Sequence, residues 1–437
     1  MAKFPRILAL PLAAIFIVGA CGGGGSQAPG GSGGGGTTGA TITVTSLWGG
    51  SEQESFQKVL DEFKAKTGNT ANYEAQRTDY ATVLQSKITS GSPPDVAIMP
   101  GLGFLRQFAR SKGIKSIKEL GIDPASLEGN YPPGILDPGK VDGELYGIMV
   151  KFNSKSTFWY RPDTFKAAGA SAPKSWDDLK SVITTLQGKG TATPLALGAK
   201  DSWTLTDWFE EIYLRQNGPD AYKKLFSADG DWTDTTVKKA LDTMKEVITD
   251  KNVPGGITGA LGVAFTDGIA QAFGTNPSAA MYYEGGFVGG IATGQTNKDL
   301  KIGETIDWFG FPTFGGSGDT AAEIGGDEIA ALTTKPGVKE FIQFMTTVDS
   351  GTAWAKTGAI ISPVKAVGAD AYPNELAKKE AAQVAGASAV VYDGSDTLPA
   401  GAPDMGAMLQ KVIQGQDTTG LLSTFNDGVK KAWADEK

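Results

Sequence analysis

Short apolar or alternating stretches follow one another along the chain, separated by longer segments whose apolar residues recur at helical spacing. The first stretch, TITVTSL at 41–47, has the alternation typical of a strand. The next segment, 51–68, has apolar residues at positions 56, 59, 60 and 63, which predicts a helix with one apolar face. The spacing of Ser51 and Glu54 predicts a capping box at the start of this helix, and Gly68 predicts its end.

This succession of strand and helix continues to the C-terminus, where two final helices are predicted. A helix that begins after Ser175, as its cap, is among the predicted elements. Strands that alternate with helices predict an α/β layered structure with largely parallel sheets. No internal repeat and no transmembrane segment is found. The further predicted strands cover 71–76, 95–100, 194–198, 279–283, 307–312 and 328–332.

The first 21 residues have the three parts of a secretory signal peptide. Lys3 and Arg6 form a positive start, an apolar run follows, and VGAC at 18–21 resembles the lipobox of bacterial lipoproteins. The resemblance implies that residues 1–20 are a signal peptide and that Cys21 carries lipid. An ordinary signal peptide that leaves a free thiol is the alternative. Residues 21–40 are rich in glycine and predict a flexible linker between the lipid and a folded domain.

Composition excludes several classes of function. The chain has 437 residues and a net charge of −8, which becomes −10 when the signal peptide is removed with its two basic residues. The absence of a basic run argues against a nucleic-acid partner. The absence of histidine removes Ser-His and Cys-His nucleophiles and histidine metal sites. With one cysteine, no disulfide forms within the chain, and the length is sufficient for two domains.

An ordered set of motifs resembles the carbohydrate-binding lipoproteins of ABC importers. Within the family-one extracellular solute-binding proteins, the α-glucoside and maltose-type branch is the most similar. The resemblance implies an α/β periplasmic-binding-protein-like fold of two discontinuous lobes with a ligand cleft between them. Lobe 1 is expected at 41–150 and 326–367, and lobe 2 at 151–325 and 368–437. The motifs are SLWGGSEQESFQKVLDEFKAKTG, SPPDVAIMP, DGELYGIMVKFNSKSTFWYRPDTFKAAG, SWDDL, TDWFEEIYLRQNGPDAY, IGGDEIAAL and AIISPVK.

A sugar site needs flat apolar faces for the sugar ring and polar groups for its hydroxyls. Such groups follow several predicted strands, where ligands bind in open α/β sheets. Trp203 is predicted to stack on the sugar, whereas Trp208, one position on, is predicted to be in the core. Asp95 is predicted to be structural, and Tyr392, Asp393 and Asp396 have weaker support. The predicted ligand-binding residues are Ser51, Glu52, Lys151, Asn153, Trp203, Asp207, Glu284, Phe287 and Asp327.

The resemblance implies a binding protein that captures a sugar and delivers it to the permease subunits of an ABC transporter. No catalytic residue, cofactor or metal is expected. The protein is predicted to be a monomer that its lipid anchors to the outer face of the cell membrane. The region 398–412, LPAGAPDMGAMLQKV, departs from the family because it lacks the aromatic residues that relatives present to the sugar. Two alternatives stay open: another polyhydroxylated solute, and a lipid-anchored glycoside hydrolase.

Overall fold

A computed structural model describes residues 38–132, 134–190 and 193–436. The predicted signal peptide, Cys21 and most of the predicted linker lie outside these residues. The strands are β1 (Thr41–Ser46), β2 (Thr70–Ala75), β3 (Val96–Met99), β4 (Lys140–Val141), β5 (Glu144–Leu145), β6 (Ile148–Ser154), β7 (Thr157–Tyr160), β8 (Thr193–Ala196), β9 (Ala279–Tyr283), β10 (Asp307–Gly310), β11 (Ala322–Ala331) and β12 (Val390–Tyr392).

Seventeen α-helices cover the sheets, counted among the described residues. They are α1 (Ser51–Thr67), α2 (Tyr80–Thr89), α3 (Leu102–Arg110), α4 (Ala125–Glu128), α5 (Pro162–Ala168), α6 (Trp176–Lys189), α7 (Trp203–Leu225), α8 (Thr235–Val247), α9 (Gly256–Ala260), α10 (Phe265–Phe273), α11 (Phe287–Ile291), α12 (Val338–Met345), α13 (Val348–Ala355), α14 (Glu375–Ala385), α15 (Gly394–Thr397), α16 (Met405–Ile413) and α17 (Thr418–Asp435). No helix of the described part of the chain has the length and apolar character needed to cross a bilayer.

Two mixed sheets organise the fold. The first has the order β12-β11-β3-β1-β2, with β6 paired to β11, and the second has the order β10-β7-β9-β8. Strands β1–β2, β1–β3, β11–β12 and β8–β9 pair in parallel, whereas the other pairings in these sheets are antiparallel. The expectation of largely parallel sheets is therefore wrong, because β11 pairs antiparallel with β3 and β6, and β7 pairs antiparallel with β9 and β10. The chain leaves the first sheet at β6 and enters the second at β7 through Lys155 and Ser156.

Helix α1 confirms the predicted apolar face and corrects the predicted cap. Phe56, Val59, Leu60 and Phe63 are buried, and Gly68 ends the helix in the left-handed conformation. The capping box is wrong, because Ser51 is already helical and no side chain caps the N-terminus. The reason is the preceding glycine, whose φ of 59° turns the chain into the helix one residue earlier than a serine cap would. At α6, Ser175 does form the predicted cap, on the amide of Asp178.

A large apolar core packs against each sheet. The core under β1 and α1 includes Trp48, whose ring centroid lies 5.1 Å from that of Phe56 and 5.2 Å from that of Trp354. The core under α7 includes Trp208, which is 1% exposed, together with Met405 and Met408. These two methionines therefore lie on the buried face of α16. The lobe boundaries stay a prediction; β12, from the range expected in lobe 2, pairs within the first sheet.

Candidate functional site

Two buried lysines organise the candidate site. Lys151 lies in β6, and Lys155 is the first residue after that strand, four positions further along the chain. Both lysines are buried. Each ammonium is surrounded by carboxylates and lies over an aromatic ring. Buried charges are stable only when they are paired, so each of these lysines depends on the carboxylates around it.

The first cluster surrounds Lys151. Its Nζ lies 3.0 Å from Asp327 Oδ2 in β11 and 3.7 Å from Glu52 Oε1 in the first turn of α1. It also lies 4.7 Å from the centroid of the Trp48 ring. Burial raises the pKa of Glu52, although the charge of Lys151 opposes the increase. Burial lowers the pKa of Lys151, but the two carboxylates outweigh it and raise that pKa above 10.5. The lysine is therefore charged at neutral pH.

The second cluster surrounds Lys155. Its Nζ lies 2.7 Å from Asp207 Oδ2 in α7 and 3.2 Å from Asp393 Oδ2, immediately after β12. It lies 5.0 Å from the centroid of the Trp203 ring and 5.6 Å from that of Phe287. An ammonium at these distances from aromatic faces is held by cation–π attraction as well as by ion pairs. The cluster thus joins the starts of α7 and α11 to the end of β12.

Further carboxyl groups adjoin the second cluster. Glu284, after β9, and Asp207 influence each other's pKa. Burial, with the charge of Asp393, raises the pKa of Asp396. Burial, with the charge of Asp393, raises the pKa of Asp207 to about 6, although Lys155 opposes the increase. Oxygens of Asp207, Glu323 and Asp393 lie within 4.8 Å of one another, a spacing that a metal ion can bridge. The ammonium of Lys155 already pairs with two of these three groups, so the protein supplies its own cation there.

Two cavities open beside the clusters. One of 790 Å³ is lined by Ser51, Glu52 and Phe287, among others. The other, of 380 Å³, is lined by Phe104, Trp203, Thr206 and Asp396, among others. The Lys151 cluster reaches the larger cavity through Glu52, and the Lys155 cluster reaches the smaller one through Trp203. Trp203 is 37% exposed, so its ring is open to a ligand in the smaller cavity.

Comparison with known proteins identifies the family to which this architecture belongs. The profile of the family described as bacterial extracellular solute-binding protein matches residues 49–352. The chain belongs to this family. The family that was recognised from the sequence motifs is therefore confirmed. Because the family is extracellular, this solute-binding protein is located outside the cytoplasm.

Two curated relatives span nearly the whole chain. The osmoprotective compounds-binding protein GgtB of Synechocystis is 28% identical over 400 residues, which cover 90% of this chain and 92% of the relative. The α-glucosides-binding periplasmic protein AglE of Rhizobium meliloti is 27% identical over 411 residues, which cover 90% and 87%. Each match therefore extends over most of the length of this solute-binding protein.

Solved structures support the fold. A solute receptor, AcbH, has a TM-score of 0.77 at 21% identity and covers 91% of this chain and all of its own. RafE in complex with raffinose has a TM-score of 0.72 at 15% identity and covers 90% of this chain and all of its own. These similarities confirm the predicted two-lobed α/β fold class.

The structure brings together seven of the nine predicted ligand-binding residues of this solute-binding protein. Glu52, Lys151 and Asp327 form the first cluster, and Asp207, Glu284, Trp203 and Phe287 adjoin the second. Ser51 lines the larger cavity, and its amide donates to Gln295 Oε1 at 3.4 Å.

Asn153 does not join either cluster. Its side-chain amide donates to Glu380 Oε1 and to the carbonyl oxygen of Ala359, each at 3.2 Å. Both partners line the larger cavity, so Asn153 supports the cavity wall. The Asp95 carboxylate accepts a hydrogen bond of 2.9 Å from the backbone amide of Thr43 on the neighbouring strand, in line with its predicted structural role.

Sequence reasoning missed Lys155, the centre of the second cluster. The signal was present, because Lys151 and Asn153 were both predicted contacts, and the two-residue alternation of a strand extends from them to Lys155. Asp393 had weak support, since nothing in the sequence shows that the loop after β12 meets the start of α7. Glu323 was missed because the predicted strand began at 328, whereas β11 extends back to Ala322.

Proposed function

We propose that this solute-binding protein captures a sugar, of the α-glucoside or another oligosaccharide class, and delivers it to the permease of an ABC transporter. One observation carries the proposal: aromatic rings and buried polar groups converge at two adjoining clusters beside open cavities. A sugar ring needs an apolar face for stacking and several hydrogen-bonding groups for its hydroxyls, and this site offers both. AglE is an α-glucosides-binding protein and RafE was solved in complex with raffinose, and both similarities support the same class of ligand.

The proposed mechanism is closure of the two lobes around the ligand. Lys151 and Asp327 lie on the strands β6 and β11, near the expected crossings between lobes, whereas Glu52 comes from lobe 1 and Asp207 and Glu284 from lobe 2. A sugar that contacts groups of both lobes binds the closed form more tightly than the open form, and this difference shifts the population. The proposed ligand contacts are Ser51, Glu52, Lys151, Asn153, Trp203, Asp207, Glu284, Phe287 and Asp327, to which the structure adds Lys155 and Asp393 as candidates.

We infer that binding involves no reaction. A glycoside hydrolase needs one protonated carboxylic acid and a second carboxylate free to act as nucleophile or base. At this site Asp207 and Asp393 are paired with Lys155, and Glu52 and Asp327 with Lys151, so none of these four is a free carboxylate. The inference also rests on the family, which consists of solute-binding proteins. The proposal includes a lipid on Cys21, after cleavage of residues 1–20, and a monomer outside the membrane. The glycine-rich linker then gives the domain its distance from the bilayer.

A thermal-shift screen followed by titration calorimetry tests the proposal. The purified protein is screened against maltose, trehalose, sucrose, raffinose, a polyol and glycerol 3-phosphate, with chromatography of the sugars after incubation. We expect at least one sugar to raise Tm, since a ligand at 100 times its Kd adds about 2.7 kcal/mol to the free energy of unfolding. Recovery of the unchanged sugar supports a binding protein. Hydrolysis products would favour the hydrolase, and stabilisation by the polyol or phosphate alone would favour the other solute.

A further inference from the structure

Two exposed aromatic rings share one cavity. Among the described residues, the exposed aromatic side chains are Phe104, at 36%, and Trp203, at 37%. Both rings line the smaller cavity, of 380 Å³. A single exposed apolar side chain needs no explanation, because much of any protein surface is apolar. Two aromatic rings at one concave site are a different case, and they indicate a ligand with apolar faces.

The two rings belong to different parts of the fold. Phe104 lies on α3, whose residues Leu105 and Phe108 pack in a core with β3 and β11 of the first sheet. Trp203 is the first residue of α7, and Trp208 of that helix packs in the core of the second sheet. A ligand group that contacts both Phe104 and Trp203 therefore bridges the expected lobes 1 and 2.

The backbone of α3 is held against the segment that follows α15. The Arg106 guanidinium donates to the carbonyl oxygen of Thr397 at 2.9 Å. A Cβ atom at Gly103 would lie 2.1 Å from the carbonyl oxygen of Leu398, so only glycine allows α3 to approach this segment so closely. Because Leu398 also lines the smaller cavity, these contacts fix the helix that presents Phe104 at the cavity wall.

Polar groups complete the wall of the smaller cavity. They are the hydroxyl groups of Ser202, Thr206 and Ser395 and the carboxyl groups of Asp396 and Asp404. Hydroxyl groups both donate and accept, so they can exchange hydrogen bonds with the hydroxyls of a sugar. Burial raises the pKa of Asp396, which favours its protonated form, a hydrogen-bond donor as well as an acceptor. The cavity therefore offers both components that a sugar ring needs.

We propose that the smaller cavity is a subsite for a second sugar ring, with Phe104 and Trp203 as its stacking faces, so that the protein selects sugars of two or more linked rings. The inference rests on the proposed function for the first ring, which is expected at the Lys151 and Lys155 clusters. It adds Phe104 as a ligand contact. At 380 Å³ the cavity is at the low end of the roughly 300–1,000 Å³ typical of ligand pockets, which suits one ring. Trp203 lies over Lys155 at 5.0 Å, so the subsite adjoins the second cluster, as linked rings require.

The first test compares sugars of one ring with sugars of several. Titration calorimetry measures the binding of maltose, trehalose, sucrose and raffinose, and of their components glucose, fructose and galactose. We expect the best of the larger sugars to bind at least about 30-fold more tightly than any of its components, since an aromatic anchor typically contributes about this factor. A component that binds within about 3-fold of the larger sugar would overturn the subsite and leave the proposed function standing. If no sugar binds, the proposed function fails, and the subsite fails with it.

Variants of Phe104 assign the effect to its ring. Phe104→Ala and Phe104→Leu, which both remove the flat ring, should weaken the larger sugar about 30-fold and its component less than about 3-fold. Phe104→Tyr keeps the ring and should bind within about 3-fold of the native protein. Val348→Ala is the matched control, because Val348 is 44% exposed and lines neither cavity, and melting curves check that each variant folds. Native binding of the larger sugar by a folded Phe104→Leu would overturn the assignment.

A double-mutant cycle decides whether Phe104 and Trp203 contact the same sugar ring. When two side chains stack on one ring, the loss of either releases that ring, so the second loss costs less. We expect the variant with both Phe104→Ala and Trp203→Ala to bind the larger sugar at most about 100-fold more weakly than the native protein, rather than by the product of the two single effects, about 900-fold. Losses that multiply fully would show two independent contacts and would overturn the shared subsite.

Discussion

The buried carboxyl of Glu328 makes stability depend on pH in a way that a single variant can isolate. Glu328 lies in β11, opposite Met99 on one side and Met149 on the other, and its side chain is fully buried. Neither carboxyl oxygen has a hydrogen-bond donor among the described residues. Burial, helped by the charge of Asp327, raises the pKa of Glu328 from 4.5 to about 8. The folded protein therefore holds a proton that the unfolded chain releases.

The sign of the effect follows from this proton. Below pH 4.5 the carboxyl of Glu328 is protonated in both states, so its ionisation costs nothing. Between about pH 4.5 and 8 only the unfolded chain ionises, and the free energy of unfolding falls as pH rises. Each unit of pKa difference corresponds to about 1.4 kcal/mol, so the loss reaches roughly 5 kcal/mol above pH 8. Glu328→Gln, which has the same shape and no charge, should remove this loss.

Urea denaturation between pH 4.5 and 9 measures the effect. At pH 4.5 the variant and the native protein should have similar free energies of unfolding, and at pH 9 the variant should be more stable by several kcal/mol. Comparing the two at each pH cancels the contributions of the other buried carboxyls. Glu128→Gln, at an exposed carboxyl, is the control for the loss of one surface charge. Parallel pH profiles for Glu328→Gln and the native protein would refute the reasoning.

Three further outcomes are expected. Trp203→Ala should weaken sugar binding about 30-fold, since losing a stacking anchor costs about 2 kcal/mol or more. The Trp208 ring packs 4.8 Å from that of Tyr283, so the control Trp208→Ala should lower stability by about 3 kcal/mol or more. Normal sugar binding by Trp203→Ala would contradict the proposed site. Cys21→Ser should move the protein from the membrane to the soluble exported fraction or leave it uncleaved, and a correctly cleaved variant that stays on the membrane in fractionation would rule out the lipid anchor. Small-angle scattering should show a smaller radius of gyration with a tightly bound sugar, and identical curves would count against lobe closure.

The sequence predicted the elements well where one local pattern decides the outcome. The apolar face of α1 and the cap of α6 were predicted because 3.6-residue spacing and a serine cap act within a few residues. The start of α1 was missed by one residue because the positive φ of Gly50 competes with the capping box. The antiparallel strands were missed because strand direction depends on where the chain returns. β11 pairs with β6 and β3, which lie more than 160 residues earlier in the chain.

The candidate site shows the same division between local and distant information. Trp203 and Asp207 could be selected as an aromatic and an acidic residue at a predicted helix start, and Glu284 could be selected because glycines follow it after a predicted strand. Lys155 acquires its role only because α7, β9 and the end of β12 meet around its ammonium, and no segment of the sequence contains all of them. A buried lysine is stable there because carboxylates from distant segments surround it, and those carboxylates are kept close together by the lysine. The candidate site is therefore one electrostatic unit, and the effects of single substitutions in the Lys155 cluster should not add.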